Sequence, residues 1–178
     1  MATVAFLVAH EGIEQIELTR PWQDVKEAGH TPVLVATTTG TVQAYNHLEA
    51  ADTFEVDKQV GDINADDIDL LLLPGGVANP DALRLDDGAV GLVRAAANRG
   101  TPIAAICHAP WTLVEADVVR GRTLTSYPSL RTDLVNAGAT WVDEEVVVCN
   151  GGPGPMITSR NPDDLDAFGE AVLVALRP

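Results

Sequence analysis

Four consecutive leucines, Leu70-Leu71-Leu72-Leu73, run into Pro74-Gly75-Gly76 and stop there. A strand with one face in water alternates apolar and polar residues. A run with no polar member therefore fits a strand covered on both faces, as in a parallel sheet between helices. Parallel neighbours cannot be joined by a tight hairpin; each needs a crossover, normally a helix. The chain supplies that alternation. Residues 3–9 read as a first strand and 32–37 as a second, with a helix over 14–28 between them, bent at Pro21 and closed by Gly29. After the leucine run, Ala89, Leu92, Val93 and Ala96 repeat at helical spacing up to Gly100, and Ile103-Ala104-Ala105-Ile106 forms a further buried strand.

Downstream, 128–137 is predicted as a helix closed by Gly138, followed by short strands at 141–142, 146–148 and 156–158. Asn161-Pro162-Asp163-Asp164 joins an N-cap, a first-turn proline and acidic residues, and opens a terminal helix to about Leu176. Between Gly40 and Asn64 the pattern is weaker: 41–44 and 53–56 read as hairpin strands, and 61–67 as a polar connection. The sum predicts an α/β fold: a single-domain three-layer sandwich, flavodoxin-like, with a mostly parallel sheet and helices on both faces. Residues 1–178 are expected to form one domain.

A formal charge of −15, from 26 acidic and 11 basic residues, repels nucleic acid and anionic membrane, and neither is expected as a partner. An ordinary acidic protein and one from a salt-rich cytoplasm fit this charge alike. No apolar run approaches the roughly 18 residues of a membrane span. The apolar start lacks a basic leader and reads as a strand rather than a secretory signal, so the expected compartment is the cytoplasm. Cys107 and Cys149 lie outside any Cys-x-x-Cys pair, and the four histidines have no metal-ligand spacing. No disulfide, metal or other cofactor is expected.

Chemistry concentrates where the strand at 103–106 ends in Cys107-His108-Ala109-Pro110. Pro110 suits the first turn of a helix, so Cys107 sits on a strand-to-helix turn, where unpaired helix amides favour a thiolate. Open α/β sheets gather their sites at the carboxyl ends of the strands. That rule brings the His10-Glu11-Gly12 and Pro74-Gly75-Gly76 loops to the same edge. The amides of Gly75, Gly76 and His108 are candidate oxyanion donors, and a plain tight turn explains the two glycines equally simply. Glu17 reads either as a solvent-facing glutamate or as an inward, protonated partner of the sulfur. His108 is a candidate base, and Asp81, in Asn79-Pro80-Asp81, either orients its ring or merely starts a helix. Cys149, before Asn150-Gly151-Gly152-Pro153-Gly154-Pro155, reads as structural or incidental.

Taken together, Glu14-Gln15-Ile16-Glu17-Leu18 with Pro21, Leu73-Pro74-Gly75-Gly76 and Ala105-Ile106-Cys107-His108-Ala109-Pro110 resemble the PfpI family. This is the intracellular-peptidase and stress-protein branch of the superfamily that holds the parkinsonism-associated protein and glyoxalase III. Gly121-Arg122-Thr123-Leu124-Thr125-Ser126-Tyr127-Pro128, residues 136–143 and Thr158-Ser159-Arg160 extend the resemblance along nearly the whole chain. It implies Cys107 as nucleophile, His108 as its neighbour, Glu17 against the thiol, and an acid at Asp81 that orients the histidine of an adjacent subunit. Family members commonly carry glutamate at that last position. A homodimer or larger homo-oligomer follows from the same resemblance.

Three functions fit. Cys107 attacks a small reactive aldehyde such as methylglyoxal, or an early glycation adduct on a protein or peptide, through a hemithioacetal. Alternatively the same Cys-His pair hydrolyses peptides. In the third, Cys107 is a redox sensor or the protein a stress chaperone, without catalysis.

Overall fold

A computed structural model describes residues 1–177. Its strands are β1 (Thr3–Val8), β2 (Glu11–Glu14), β3 (Thr31–Ala36), β4 (Thr41–Asn46), β5 (Glu49–Glu55), β6 (Lys58–Gln59), β7 (Leu70–Leu73), β8 (Ile103–Ile106), β9 (Thr123–Leu124), β10 (Thr140–Trp141), β11 (Val146–Cys149) and β12 (Met156–Ser159). The helices are α1 (Gln15–Glu27), α2 (Ala78–Leu83), α3 (Asp87–Arg99), α4 (Pro110–Glu115), α5 (Arg131–Asn136) and α6 (Leu165–Ala175).

The main sheet has the order β11-β12-β8-β7-β1-β3-β6. All its pairings are parallel except that of the edge strand β11, which runs antiparallel to β12. The leucine run lies in the middle, and pleating explains its composition. Leu70 and Leu72 join Phe6, Ala104 and Ile106 in one core, against α1 and α6. Leu71 and Leu73 join Leu7, Ile103 and Ala105 in the other, against α3, α4 and α5. Two cores on opposite faces of one sheet are the predicted α/β sandwich.

Between β1 and β7 the winding reverses. The chain leaves β1 for β3 and β6 on one side, then returns to place β7, β8 and β12 on the other. A crevice opens at the carboxyl ends of strands at such a switch point, because the connections diverge there.

Helix α1 continues through Pro21, whose ring is buried. Two local readings differ from the sequence analysis. The expected helix over 128–137 is a 3₁₀ turn, Pro128–Leu130, leading into α5. Glu11 and Gly12, read as loop, and Glu14, read as the start of the helix, belong to β2; it pairs in parallel with β4, so the predicted hairpin β4–β5 becomes a three-stranded second sheet. Four residues with Ile13 as their one buried member carry too short a pattern to read as a strand, and their pairing partner is some thirty positions away. The cap at Asn161 forms as predicted, its Oδ1 accepting from the Asp163 N–H at 2.9 Å. Among the described residues no helix is long and apolar enough to cross a membrane.

Candidate active site

Strand β8 ends at Ile106, and the next residue, Cys107, takes φ = 64°. The left-handed region is costly for a residue with a side chain, of order 1–3 kcal/mol, and persists only when neighbours hold it. They do so here from two sides. The Cys107 N–H donates to the Ser159 carbonyl at 3.0 Å, and the Cys107 carbonyl accepts from the Tyr127 N–H at 2.8 Å. The result is a sharp elbow that lifts the sulfur out of the strand into the crevice, with 7% of the residue still exposed.

On one side of the sulfur stands Glu17, from the first turn of α1, with no solvent exposure. Its Oε2 accepts from the Gly75 N–H at 2.8 Å, and its carboxyl lies beside the Cys107 thiol. Oε1 is buried without a hydrogen-bond partner. Burial pushes this carboxyl up to about 8, against the pull of the Gly75 amide and the thiol. The inward alternative is the one this structure adopts, and burial favours the protonated carboxyl.

Gly75 is wedged between the pair: a Cβ there would lie 2.5 Å from Glu17 Oε2 and 2.8 Å from Cys107 Cβ. At Gly76, with φ = 83°, a Cβ would overlap the Gly12 carbonyl oxygen. Both positions exclude any side chain, so the backbone of Pro74-Gly75-Gly76 can approach the thiol. Of the three amides expected to hold an oxyanion, that of Gly75 is already spent on Glu17. Those of Gly76 and His108 point at the sulfur.

Opposing influences act on the Cys107 thiol. Burial pushes the Cys107 thiol up, and a charged Glu17 would push it further, while the Gly76 and His108 amides pull it down. Below about 8, however, Glu17 is protonated; the carboxyl is then a donor to the sulfur and its repulsion is absent. Sulfur and carboxyl act as one unit in which loss of a second proton is opposed by burial and by like charge.

On the other side, His108 Nδ1 lies 3.1 Å from Cys107 Sγ, so adjacency in sequence becomes contact of the ring with the sulfur. The imidazole stacks on Tyr127, with centroids 4.5 Å apart and planes at 23°, and meets Trp111 at 5.3 Å. Burial holds its pKa below the ordinary histidine value, which keeps the ring neutral and able to accept a proton. Its Nε2 faces the Ser129 hydroxyl at 3.3 Å. Asp81 lies exposed in the first turn of α2 and lines the same cleft, of about 920 Å³, without hydrogen-bonding His108.

Two contributors escaped the sequence reading. Ser129 had no signal of its own. Asn79, fully buried, donates from Nδ2 to the Pro74 and Gly75 carbonyls at 3.0 Å, and its Oδ1 accepts from the Ala9 N–H at 2.8 Å. It fastens the glycine turn to the end of β1. Its position before Pro80 drew attention only to the turn and to Asp81.

A non-glycine elbow between a parallel strand and a helix, with thiol, carboxyl and imidazole in contact, defines a cysteine-nucleophile α/β enzyme. The profile of the DJ-1/PfpI family matches residues 2–175, and the chain belongs to that family. "Putative cysteine protease YraA" of Bacillus subtilis is 39% identical over 98% of both chains. "Protein/nucleic acid deglycase 2" of Escherichia coli is 39% identical over 96% of this chain and 95% of its own. Among solved structures, a two-domain protein of Anabaena variabilis with DJ-1/ThiJ/PfpI-like and ferritin-like domains superposes with a TM-score of 0.91. It is 31% identical, over 99% of this chain and 48% of that one.

Proposed function

We propose that this enzyme uses Cys107 against reactive carbonyls, converting a 2-oxoaldehyde such as methylglyoxal into the hydroxy acid and releasing early adducts of such aldehydes from proteins. The observation that carries this reading is the placement of one sulfur between a protonated carboxyl and a neutral imidazole. Carbonyl addition followed by a proton shift needs a donor and an acceptor at the same centre.

The steps balance with water alone. His108 Nδ1 takes the thiol proton as Sγ bonds to the aldehyde carbon, and the carbonyl oxygen, held by the Gly76 and His108 amides, is protonated to a hemithioacetal. The C–H proton then moves to the neighbouring carbon through an enediol, with Glu17 and His108 exchanging protons. The thioester so formed is cleaved by water, releasing the hydroxy acid and the free thiol. A hemiaminal on a protein amine enters the same sequence once the amine departs.

Peptide hydrolysis would use the same sulfur and imidazole, but it requires a firmly oriented base. Among the described residues His108 Nε2 meets only a serine hydroxyl. Asp81 of a second copy would supply the acid. We include that homo-oligomeric contact in the proposal because Asp81 is exposed beside Val77, 57% exposed, on the rim of the cleft. With a charge of −15, small carbonyls and protein adducts are favoured over nucleic acid as substrates.

Purified protein given methylglyoxal without added thiol is expected to form lactate, and Cys107→Ala to form none. Equal lactate from both would defeat the reading. Casein cleavage that depends on Cys107, in the absence of lactate, would favour the peptidase.

A further inference from the structure

His108 can take the thiol proton only through a ring nitrogen that carries none, so the tautomer of this ring matters to the chemistry. Nδ1 faces Cys107 Sγ at 3.1 Å and Nε2 faces Ser129 Oγ at 3.3 Å, one side-chain partner for each nitrogen among the described residues. With the sulfur protonated and the ring neutral, a base at Nδ1 must be bare and Nε2 must hold the hydrogen. Once the proton has moved, the imidazolium holds a hydrogen on both nitrogens. Nε2–H is thus common to both sides of the transfer, and the Ser129 oxygen is the acceptor that faces it. The reverse arrangement, a serine O–H donating to Nε2, leaves a hydrogen on Nδ1 and closes the base to the thiol.

Local sequence and long-range contacts fix that hydroxyl in place. Pro128 opens the 3₁₀ turn Pro128–Leu130, and Leu130 anchors it from the core with no solvent exposure. The Leu130 N–H donates to the Tyr127 carbonyl at 3.0 Å, and the Tyr127 N–H to the Cys107 carbonyl at 2.8 Å, so the turn is tied to the elbow itself. Just upstream, Ser126 Oγ accepts from Trp141 Nε1 at 3.0 Å, and the Thr125 N–H donates to Thr158 Oγ1 at 3.0 Å. Tyr127 stacks on the imidazole, and Trp111 meets it at 60°, which confines the ring between two aromatic faces. One short segment therefore carries both the stacking face and the hydroxyl.

We propose that Ser129 is a positioning residue of this site: its Oγ accepts from His108 Nε2–H, holds the ring in the tautomer whose bare Nδ1 meets the thiol, and remains the acceptor for the imidazolium that forms when the proton moves. Its kinetic consequence rests on the carbonyl-addition reading given above; the tautomer rests on geometry alone. The hydroxyl keeps its own hydrogen available to an acceptor outside the chain, so the role holds with or without an Asp81 contact from a second copy.

Nitrogen-15 NMR of the histidine rings reads the tautomer directly, with the His108 signals identified by their loss in His108→Gln. The wild type is expected to carry its ring hydrogen on Nε2, with Nδ1 bare. Ser129→Ala, at an exposed position, should show both tautomers. It should also lower kcat for lactate formation about tenfold, the worth of one hydrogen bond to a charged ring, with KM within about twofold. Ser129→Thr should restore both readouts. A wild-type ring with its hydrogen on Nδ1, or the wild-type tautomer ratio unchanged in Ser129→Ala, would overturn the proposal. A wild type that forms no lactate would defeat the carbonyl reading instead, and the ring signals would still decide the role of Ser129.

Discussion

Cys107 and Cys149 are nearly matched in exposure, at 7% and 9%, and each sulfur receives hydrogen bonds from two main-chain amides. Their acidities nevertheless move in opposite directions. At Cys107 burial leads and Glu17 adds to it, while at Cys149 the Gly151 and Thr123 amides, then Arg122, outweigh burial. How deeply a thiol is buried and how many donors face it set the direction, and a neighbouring ionisable side chain adds to it. For catalysis the first arrangement is the more useful. A thiol beside an acid can both add to a carbonyl and return a proton, and among the described residues Cys149 has no acid partner of that kind.

The comparison breaks most visibly at Cys107. Cys107→Ala should lower lactate formation by about 10³-fold or more; activity within tenfold of wild type would mean that the elbow sulfur is not the nucleophile.

Next comes Glu17→Gln, which keeps an acceptor for the Gly75 N–H and a donor toward sulfur but removes the titrating proton. Turnover should fall about 10²-fold. The wild-type kcat/KM should also decline as pH rises through about 8, where Glu17 ionises, and this alkaline limb should vanish in the variant. The stability sign follows from the same shift. Between the ordinary carboxylate value and about 8 the folded state holds a proton that the unfolded state has lost, so stability falls with rising pH across that window. Urea titrations at about pH 9 should therefore find Glu17→Gln more stable than wild type, by about 2 kcal/mol; a less stable variant would contradict a buried acid held at a cost.

Asn79→Ala sharpens the role of the scaffold rather than of the sulfur. It leaves the Ala9 N–H and two carbonyls buried without their partner and should cost about 2–3 kcal/mol in urea denaturation. Smallest of all, Cys149→Ser should leave lactate formation within about twofold of wild type, because nothing at Arg122 reaches the cleft. A larger loss would join the two thiols that the structure keeps apart.

Much of this was legible before any coordinates. The leucine run, the glycines after α1 and α3, and the Asn161 cap report local periodicity and local backbone needs, which neighbouring residues settle. Strand β2 was missed because its stability lies in a partner strand, and Ser129 because a lone serine after a proline turn looks like any other. The Arg122 guanidinium on the Cys149 carbonyl is equally hidden, since the two residues lie 27 positions apart.

The sequence by itself determined the alternation of strand and helix, the elbow that presents Cys107, and the small residues that let a backbone reach it. These follow from side-chain shape and φ/ψ preference within a few residues. Only the tertiary structure decided that Glu17 faces inward, since its partner Gly75 stands 58 positions away. It alone turned the His108 ring onto the sulfur and set the Arg122 guanidinium on the Cys149 carbonyl. Proton affinity is a property of surroundings, and the surroundings of a buried group are assembled by packing.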